Sequence, residues 1–316
     1  MKAFIYSVIA LLTFAACEKD EIPIEPRHRG NAITAELPTT IYGHQSYFDF
    51  ESNSFVQTNE KTDWDIAFGC GEFSPIIYVN TAKLTATAKV ENSSFEAVTA
   101  TENLEFNYDS STGFYDSLLI TNWTENTIYV LDLGYTEAGD HLGYRKIRII
   151  ENTPTHCHFQ YGQVNATIPT NATLEKDDNY NAVFYSILNE KAVTIEPEKS
   201  KWDIAFTQYI YYFHEFETPY LVTGIIMNRT NTKAYQHESN SFSDINFDQI
   251  NIDLFSYSLD VIGYEWKEFL NNIYVVYTDH NFIIQTQEGY YYKLHFVDFY
   301  NQSGAKGYPV FEFQEL

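Results

Sequence analysis

The chain has 316 residues, of which 43 are acidic and 19 are basic, so its formal net charge at pH 7 is −24. This sign excludes a nucleic-acid partner, which requires a basic surface, and an anionic membrane surface would repel the chain. Aromatic residues make up 17% of the sequence and alternate with Thr, Ile and Val in a pattern that favours strands. No stretch has a long helical period, so the sequence predicts an all-β protein.

The N-terminus has the pattern of a bacterial lipoprotein signal peptide. Residues 1–16 form a charged start and an apolar run that is too short for a stable transmembrane helix. Small residues precede Cys17, so we expect Cys17 to be acylated; the alternative is an ordinary signal peptide with a coincidental cysteine. The acidic run at 18–21 resembles the export signal of Bacteroidota surface lipoproteins. It predicts an outer-membrane protein that faces the cell exterior, with the lipid as its membrane contact.

The sequence Trp-Asp-Ile-Ala-Phe occurs twice, at residues 64–68 and 202–206. A five-residue identity that includes Trp is improbable by chance in a chain with four Trp residues, so it indicates a duplication. The alternation within the second copy predicts a strand with Trp202, Ile204 and Phe206 on one face.

The duplication extends downstream. Residues 143–150 match residues 290–297 at a larger offset than the Trp residues, so the second copy contains an insertion between Phe206 and Tyr290. Each copy ends on an alternating strand, at 157–161 and 310–313.

These features predict the organisation of the whole chain. The predicted segments are a signal peptide at 1–16, a lipidated tether at 17–38, a first domain at 39–162, a linker at 163–178 and a second domain at 179–316. Because each copy has its own Trp strand and closing strand, we expect the second domain to fold alone.

The assembled residues resemble the HmuY-like family, haem-binding surface lipoproteins of Bacteroidota. The resemblance rests on the lipoprotein signal, the Trp-Asp-Ile-Ala-Phe strand and the C-terminal block at 282–301 and 304–313, with its Gly turn, Lys-x-x-Phe strand and Gly-Tyr turn. It is closer for the second copy than for the divergent first copy. The resemblance implies an all-β fold, haem as cofactor with iron between two axial His or Met side chains, and transfer of haem to a TonB-dependent outer-membrane receptor.

The second copy contains the residues that the resemblance makes candidate axial ligands. His214 ends an aromatic run and shares the strand parity of Phe206, and His280 precedes the C-terminal block. Met227 is the next candidate, as the one Met of the mature chain. We expect His237 to lie on a solvated loop and His295 to face solvent.

The first copy contains two weaker features. His156 and His158 lie on one face of an alternating strand and are weak candidates for a transition-metal site, since no third ligand is evident nearby. Cys70 and Cys157 are either a disulfide or two separate thiols, because sequence cannot establish that they lie within bridging distance.

No pattern supports an enzyme. The sequence has no carboxylate pair with catalytic spacing, no phosphate-binding Gly loop and no nucleophile elbow. The function predicted first is therefore haem capture by a surface-anchored protein. The alternative is a non-haem β module whose Tyr-rich faces bind a glycan or a protein partner.

Overall fold

The structure is a computed structural model that describes residues 30–213, 215–216, 218–238 and 241–316. The predicted signal peptide at 1–16, the predicted anchor Cys17 and most of the tether lie outside the described residues, as does His214. No helix in the described ranges has the length and apolar character needed to cross a membrane.

Strands dominate the described part of the chain, which confirms the predicted all-β class. In chain order they are β1 (Ile33–Glu36), β2 (His44–Asp49), β3 (Ser54–Glu60), β4 (Ile66–Gly69), β5 (Ile77–Val79), β6 (Ala86–Val90), β7 (Ile128–Asp132), β8 (Tyr144–Asn152), β9 (His156–Gly162), β10 (Thr170–Glu175), β11 (Ala182–Ser186), β12 (Lys191–Val193), β13 (Ile204–Phe213), β14 (Thr218–Met227), β15 (Lys233–His237), β16 (Lys267–Leu270), β17 (Ile273–Val276), β18 (Asn281–Gln285), β19 (Tyr291–Tyr300) and β20 (Lys306–Glu315). The helical segments of the described residues are short 3-10 turns at Gly71–Phe73, Thr81–Lys83, Phe95–Ala97, Tyr115–Ser117, Lys199–Lys201, Phe242–Asp244, Phe247–Gln249 and Ile252–Leu254.

The strands form two similar units, each with a five-stranded and a four-stranded antiparallel sheet. The sheets of the first unit have the orders β10-β9-β8-β7-β6 and β12-β11-β4-β5. Those of the second unit have the orders β1-β20-β19-β18-β15 and β14-β13-β2-β3, and β16 pairs with β17 as a separate hairpin. An apolar core fills the space between the two sheets of each unit.

The two repeats exchange their N-terminal hairpins. Strand β2 of the first repeat pairs with β13, placing Tyr47 opposite Ala205. Strand β11 of the second repeat pairs with β4, placing Phe184 opposite Ala67. Each unit therefore contains strands from both repeats. This topology differs from the expectation of separate domains at 39–162 and 179–316, because those ranges are sequence repeats whose strands are interlocked.

Both Trp residues of the repeated sequence lie at the junction between the units. Ile204 and Phe206 face the core of the second unit, whereas Trp202 clusters with Trp64 and Ala205 at the junction. The predicted common face of Trp202, Ile204 and Phe206 is therefore wrong. Strand β13 begins only at Ile204, so the strand alternation does not extend back to Trp202.

Two equivalent asparagines locate the insertion of the second repeat. The Asn80 side chain donates to the carbonyl oxygen of Trp64 at 2.9 Å, and the Asn228 side chain donates to that of Trp202 at 2.7 Å. Between Trp and Asn, the first repeat has strands of 4 and 3 residues, whereas the second has strands of 10 and 10 residues. The insertion is therefore the extension of the β13–β14 hairpin.

Two buried lysines confirm the downstream match between the repeats. Lys146 Nζ donates to the carbonyl oxygens of Phe95 and Val98, and Lys293 Nζ donates to those of Phe242 and Ile245. In both units the lysine thereby fixes a 3-10 turn across the outer face of the five-stranded sheet.

Cys70 and Cys157 are buried free thiols of the first unit. Burial raises the pKa of Cys70 and raises that of Cys157 to about 12. Of the two alternatives that the sequence left open, the structure has two separate thiols.

Candidate functional site

His280 lies in the turn between β17 and β18, where its backbone N–H donates to the Tyr277 carbonyl at 3.1 Å. Its half-buried ring stacks against the Tyr277 ring, with centroids 4.9 Å apart. Within the described residues, neither imidazole nitrogen of His280 has a hydrogen-bond or ion-pair partner. The imidazole is therefore held in place by packing while both of its nitrogens remain available to a ligand.

His280 lines a small cleft in the second unit. The enclosed volume is about 50 Å³, and the other lining residues are Tyr209, Tyr211, Gln236, Asp260, Val261, Ile262, Gly263, Tyr264, Glu265 and Phe282. The walls therefore come from the extended β13–β14 hairpin, from β15 and β18, and from the loop at 260–265. We call this the His280 cleft.

Two glycines bring the loop against the hairpin. The Ile225 backbone N–H donates to the Gly263 carbonyl oxygen at 2.9 Å. A Cβ atom on Gly224 would lie 2.5 Å from that oxygen, so only glycine permits this approach. Gly263 itself has a φ of 61°, which disfavours other residues. The close approach closes one side of the cleft.

Tyr209 contributes a buried hydroxyl group to the cleft. Its side chain is 3% exposed, and within the described residues the hydroxyl has no hydrogen-bond partner. Burial raises the pKa of Tyr209 well above its ordinary value, so the group is a neutral hydroxyl at physiological pH. A buried hydroxyl without a partner costs free energy, which a ligand with a polar group would recover.

The outer end of the β13–β14 hairpin is rich in aromatic side chains. The rings of Tyr211 and Phe213 pack against the ring of Tyr264, with centroids 5.0 and 6.2 Å apart. Phe216 and Tyr220 are 72% and 61% exposed. The hairpin therefore extends the aromatic wall of the cleft outward into solvent. His214 directly follows Phe213 in sequence but lies outside the described residues.

Met227, the third candidate ligand, is a core residue. It ends β14, is 1% exposed and belongs to the apolar core of the second unit. Its side chain does not line the His280 cleft. The structure therefore separates Met227 from His280.

Two other histidines have surroundings that differ from those expected. His237 is the last residue of β15, half-buried and opposite Asn281, so the prediction of a solvated loop is wrong. His295 does not simply face solvent, because its ring stacks on the Phe242 ring at 4.2 Å. It also bonds through Nε2 to a carboxylate oxygen of Glu312 at 3.0 Å.

His156 and His158 lie on the outer face of β9, while Cys157 between them faces the core, as alternation predicts. His156 Nε2 lies 3.2 Å from a Glu151 carboxylate oxygen, and His158 Nε2 lies 3.4 Å from the Asn171 side-chain oxygen. In the part of the chain that the structure describes, no group of three or more His, Cys, Asp or Glu residues could hold a metal ion. The two histidines are therefore partnered surface residues.

The chemistry of the His280 cleft fits one edge of a haem group, although its enclosed volume does not hold a porphyrin. An available imidazole suits axial ligation, aromatic walls suit the macrocycle, and the Tyr209 hydroxyl suits a polar substituent. At about 50 Å³ the enclosed space is several times too small for the ring, so a bound porphyrin would extend across the open side.

Tyr209, Tyr264 and the loop at 260–265 were not found from the sequence. Their approach to His280 depends on the pairing between Ile225 and Gly263, which are far apart along the chain. The high Tyr content of the hairpin was the one sequence signal that pointed to them.

Fold and site together define a duplicated all-β protein with an aromatic cleft in its second unit. The family model of the HmuY protein matches residues 41–179 and again residues 178–313. These two matches span most of the chain, so the chain belongs to the HmuY family, in a tandem arrangement.

Several solved structures resemble this chain at low sequence identity. Apo PinO from Porphyromonas gingivitis is 10% identical with a TM-score of 0.38, and the match covers 91% of this chain and 98% of that one. The apo HmuY analog (TFO) of Tannerella forsythia is 12% identical with a TM-score of 0.34, and the match covers 91% and 98%. A HmuY-like protein from Bacteroides vulgatus ATCC 8482 is 15% identical with a TM-score of 0.26, and the match covers 42% of this chain and 76% of that one. No curated protein matches the chain.

Proposed function

We propose that this protein is a lipid-anchored surface protein that captures haem with its second unit. Membership of the HmuY family supports a binding role, and the sequence resemblance to that family implies haem as the ligand. The observation that carries the proposal is His280, which lines an aromatic cleft and whose imidazole nitrogens have no partner in the described residues.

His280 supplies one axial nitrogen in this proposal. The neutral imidazole is the form that binds iron, and partial exposure at the cleft leaves its nitrogens accessible. Tyr211 and Tyr264 pack against the macrocycle, and the Tyr209 hydroxyl donates to a polar substituent. His214 is the proposed second ligand, because the preceding Phe213 packs against Tyr264 of the cleft. Met227, being in the core, is the weakest of the three candidates.

The N-terminal sequence supplies the proposed location. Residues 1–16 direct export, acylated Cys17 anchors the chain in the outer membrane, and the acidic run at 18–21 directs it to the cell exterior. A haem-loaded protein at that surface transfers its cargo to a TonB-dependent receptor. Replacing Cys17 by Ala is expected to remove the protein from the outer-membrane fraction, and unchanged fractionation would exclude the anchor.

A haemin titration of residues 18–316, followed in the Soret region, tests haem capture. We expect a shifted, low-spin Soret band for the wild-type protein. His280→Ala should lose the low-spin signal even if aromatic packing retains the porphyrin, and His214→Ala should do the same. His156→Ala is the matched control, because this histidine lies in the first unit and bonds to Glu151. A wild-type spectrum equal to that of free haemin would refute the proposal.

The second candidate function is a non-haem surface module that binds a glycan or protein partner. The exposed rings of Phe216 and Tyr220 favour it, because exposed aromatic side chains are enriched at recognition surfaces. The haemin titration separates the two functions, since this module would leave the haemin spectrum unchanged.

A further inference from the structure

A second cleft lies at the junction of the two units. Its volume is about 100 Å³ and both Trp residues of the repeated sequence line it. The aromatic side chains of its wall are Tyr47, Trp64, Tyr78, Phe184, Trp202 and Tyr209. Tyr209 lines both clefts, but His280 does not line the junction cleft.

Three residues that line the junction cleft have a buried polar group without a partner in the described residues: the Tyr78 and Tyr209 hydroxyls and Trp202 Nε1. The two indole N–H groups differ from each other in this respect. Trp64 Nε1 donates to the side-chain oxygen of Gln45 at 2.9 Å. Trp202 is 2% exposed, and within the described residues its Nε1 has no acceptor. An indole N–H can only donate, so this buried group needs an acceptor from outside the protein.

The exchange of hairpins explains the difference between the two Trp residues. The pairings of Tyr47 with Ala205 and of Phe184 with Ala67 make Tyr47 and Phe184 equivalent. Two residues before Tyr47 is Gln45, the acceptor for Trp64. Two residues before Phe184 is Ala182, which has no polar side chain. In the second half of the junction, Trp202 Nε1 therefore lacks the amide acceptor that Gln45 provides to Trp64 in the first half.

Groups of both charges surround the cleft. The Arg229 guanidinium carbon lies 4.6 Å from the Tyr78 ring centroid, and its Nη1 donates to the Gly113 carbonyl at 2.8 Å. Both carboxylate oxygens of Asp109 accept backbone N–H groups, whereas Glu196 accepts one bond, from Asn181 at 3.3 Å. The carboxyl groups of Asp109 and Glu196 would disfavour an anionic ligand. The Arg229 guanidinium on the Tyr78 ring would disfavour a cationic ligand.

We propose that the junction cleft binds the edge of a neutral, polyhydroxylated ligand, namely a single sugar residue or the end of a glycan. One hydroxyl group accepts from Trp202 Nε1 and another donates to Glu196. The C–H face of the sugar packs on the aromatic wall. The small volume admits one edge of a pyranose ring, and the rest of the ligand lies toward solvent.

Calorimetric titration of residues 18–316 with neutral monosaccharides (glucose, galactose, mannose and fucose) tests this site, with benzoate and tetramethylammonium as charged probes. We expect at least one neutral sugar to bind and neither charged probe to do so. Trp202→Phe keeps an aromatic side chain and removes the indole N–H, so it should weaken binding about tenfold. Trp64→Phe makes the same change of ring in the same wall but removes an N–H that is already bonded to Gln45, so the difference between the two variants measures the Trp202 N–H.

Ala182→Gln provides an independent test, because it copies the Gln45 arrangement into the second half of the junction. An internal acceptor for Trp202 should compete with the ligand and abolish sugar binding while the protein stays folded. The proposal is overturned if no neutral sugar binds, which would mean that water fills the cleft, or if a charged probe binds better than every sugar. It is also overturned if Trp202→Phe binds the sugar as tightly as Trp64→Phe.

Discussion

Trp202 packs edge-on against Tyr47, with ring centroids 5.0 Å apart, and the two residues belong to different sequence repeats. Trp64 packs on Phe184 at the same distance of 5.0 Å, again across repeats. These two contacts are symmetric, because each Trp meets the hairpin that the other repeat contributes. The junction between the units is therefore built from exchanged elements.

The exchange predicts how the isolated second repeat behaves. In a fragment of residues 179–316, strand β13 lacks its partner β2, and strand β11 lacks its partner β4. A monomer of the fragment cannot form these strand pairs. Two copies can form similar pairs by exchanging their hairpins with each other. We expect the fragment to be a dimer or to be unfolded, as measured by light scattering and circular dichroism. A stable folded monomer would contradict this prediction.

The sequence allowed the strands, the duplication and the match of Lys146 with Lys293 to be predicted, because each is a local pattern or a direct repeat. The exchange of hairpins could not be predicted. Alternation shows that β2 has a buried face but does not show which Trp strand it pairs with, since both repeats offer the same sequence.

The candidate site was predictable only in part. His280 was identified from its position before the C-terminal block. Its neighbour Tyr209 was not, since their proximity depends on tertiary contacts of the loop at 260–265. In the sequence, Met227 is an apolar residue close to an aromatic strand. Such residues usually belong to the core, and the structure places Met227 there.

A pH dependence of stability should arise from Asp203. This buried carboxyl accepts the Phe50 backbone N–H at 2.9 Å, and burial raises its pKa from 3.8 to about 8. Its counterpart Asp65 forms a buried ion pair with Lys83, and within the described residues no basic side chain pairs with Asp203.

The raised pKa means that the folded state retains a proton that the unfolded state releases above about pH 4. The free energy of unfolding should therefore fall as pH rises from about 4 to about 8. Asp203→Asn keeps an acceptor for Phe50 and removes the titration, so urea denaturation should show a flatter pH profile for this variant. Equal slopes for the two proteins would contradict the role of Asp203.

The two cysteines should be protected from thiol reagents. Cys70 and Cys157 are 1% and 0% exposed, and burial raises the pKa of both thiols. A chromogenic disulfide reagent should therefore detect neither thiol in the native protein of residues 18–316. After unfolding in guanidinium without reductant it should detect two. Detection of none after unfolding would show that the pair is bridged.

If haem binds at the proposed site, the stoichiometry should be one haem per protein chain. The site depends on the extended β13–β14 hairpin, and the first unit has only the short β4 and β5 strands at that position. Ile283 lies opposite Lys293 and Val130 lies opposite the equivalent Lys146, so His280, three residues before Ile283, corresponds to Thr127, which is 4% exposed. The first unit therefore lacks both the aromatic wall and the imidazole.

The equivalence point of the haemin titration measures this stoichiometry, and we expect it at one haemin per protein. Thr127→His is a matched variant that places an imidazole at the equivalent position of the first unit without the hairpin. Because the aromatic wall is still missing, this variant should also bind one haemin. Two equivalents for the wild-type protein, with one retained in His280→Ala, would show that the first unit has a haem site of its own and would contradict the prediction.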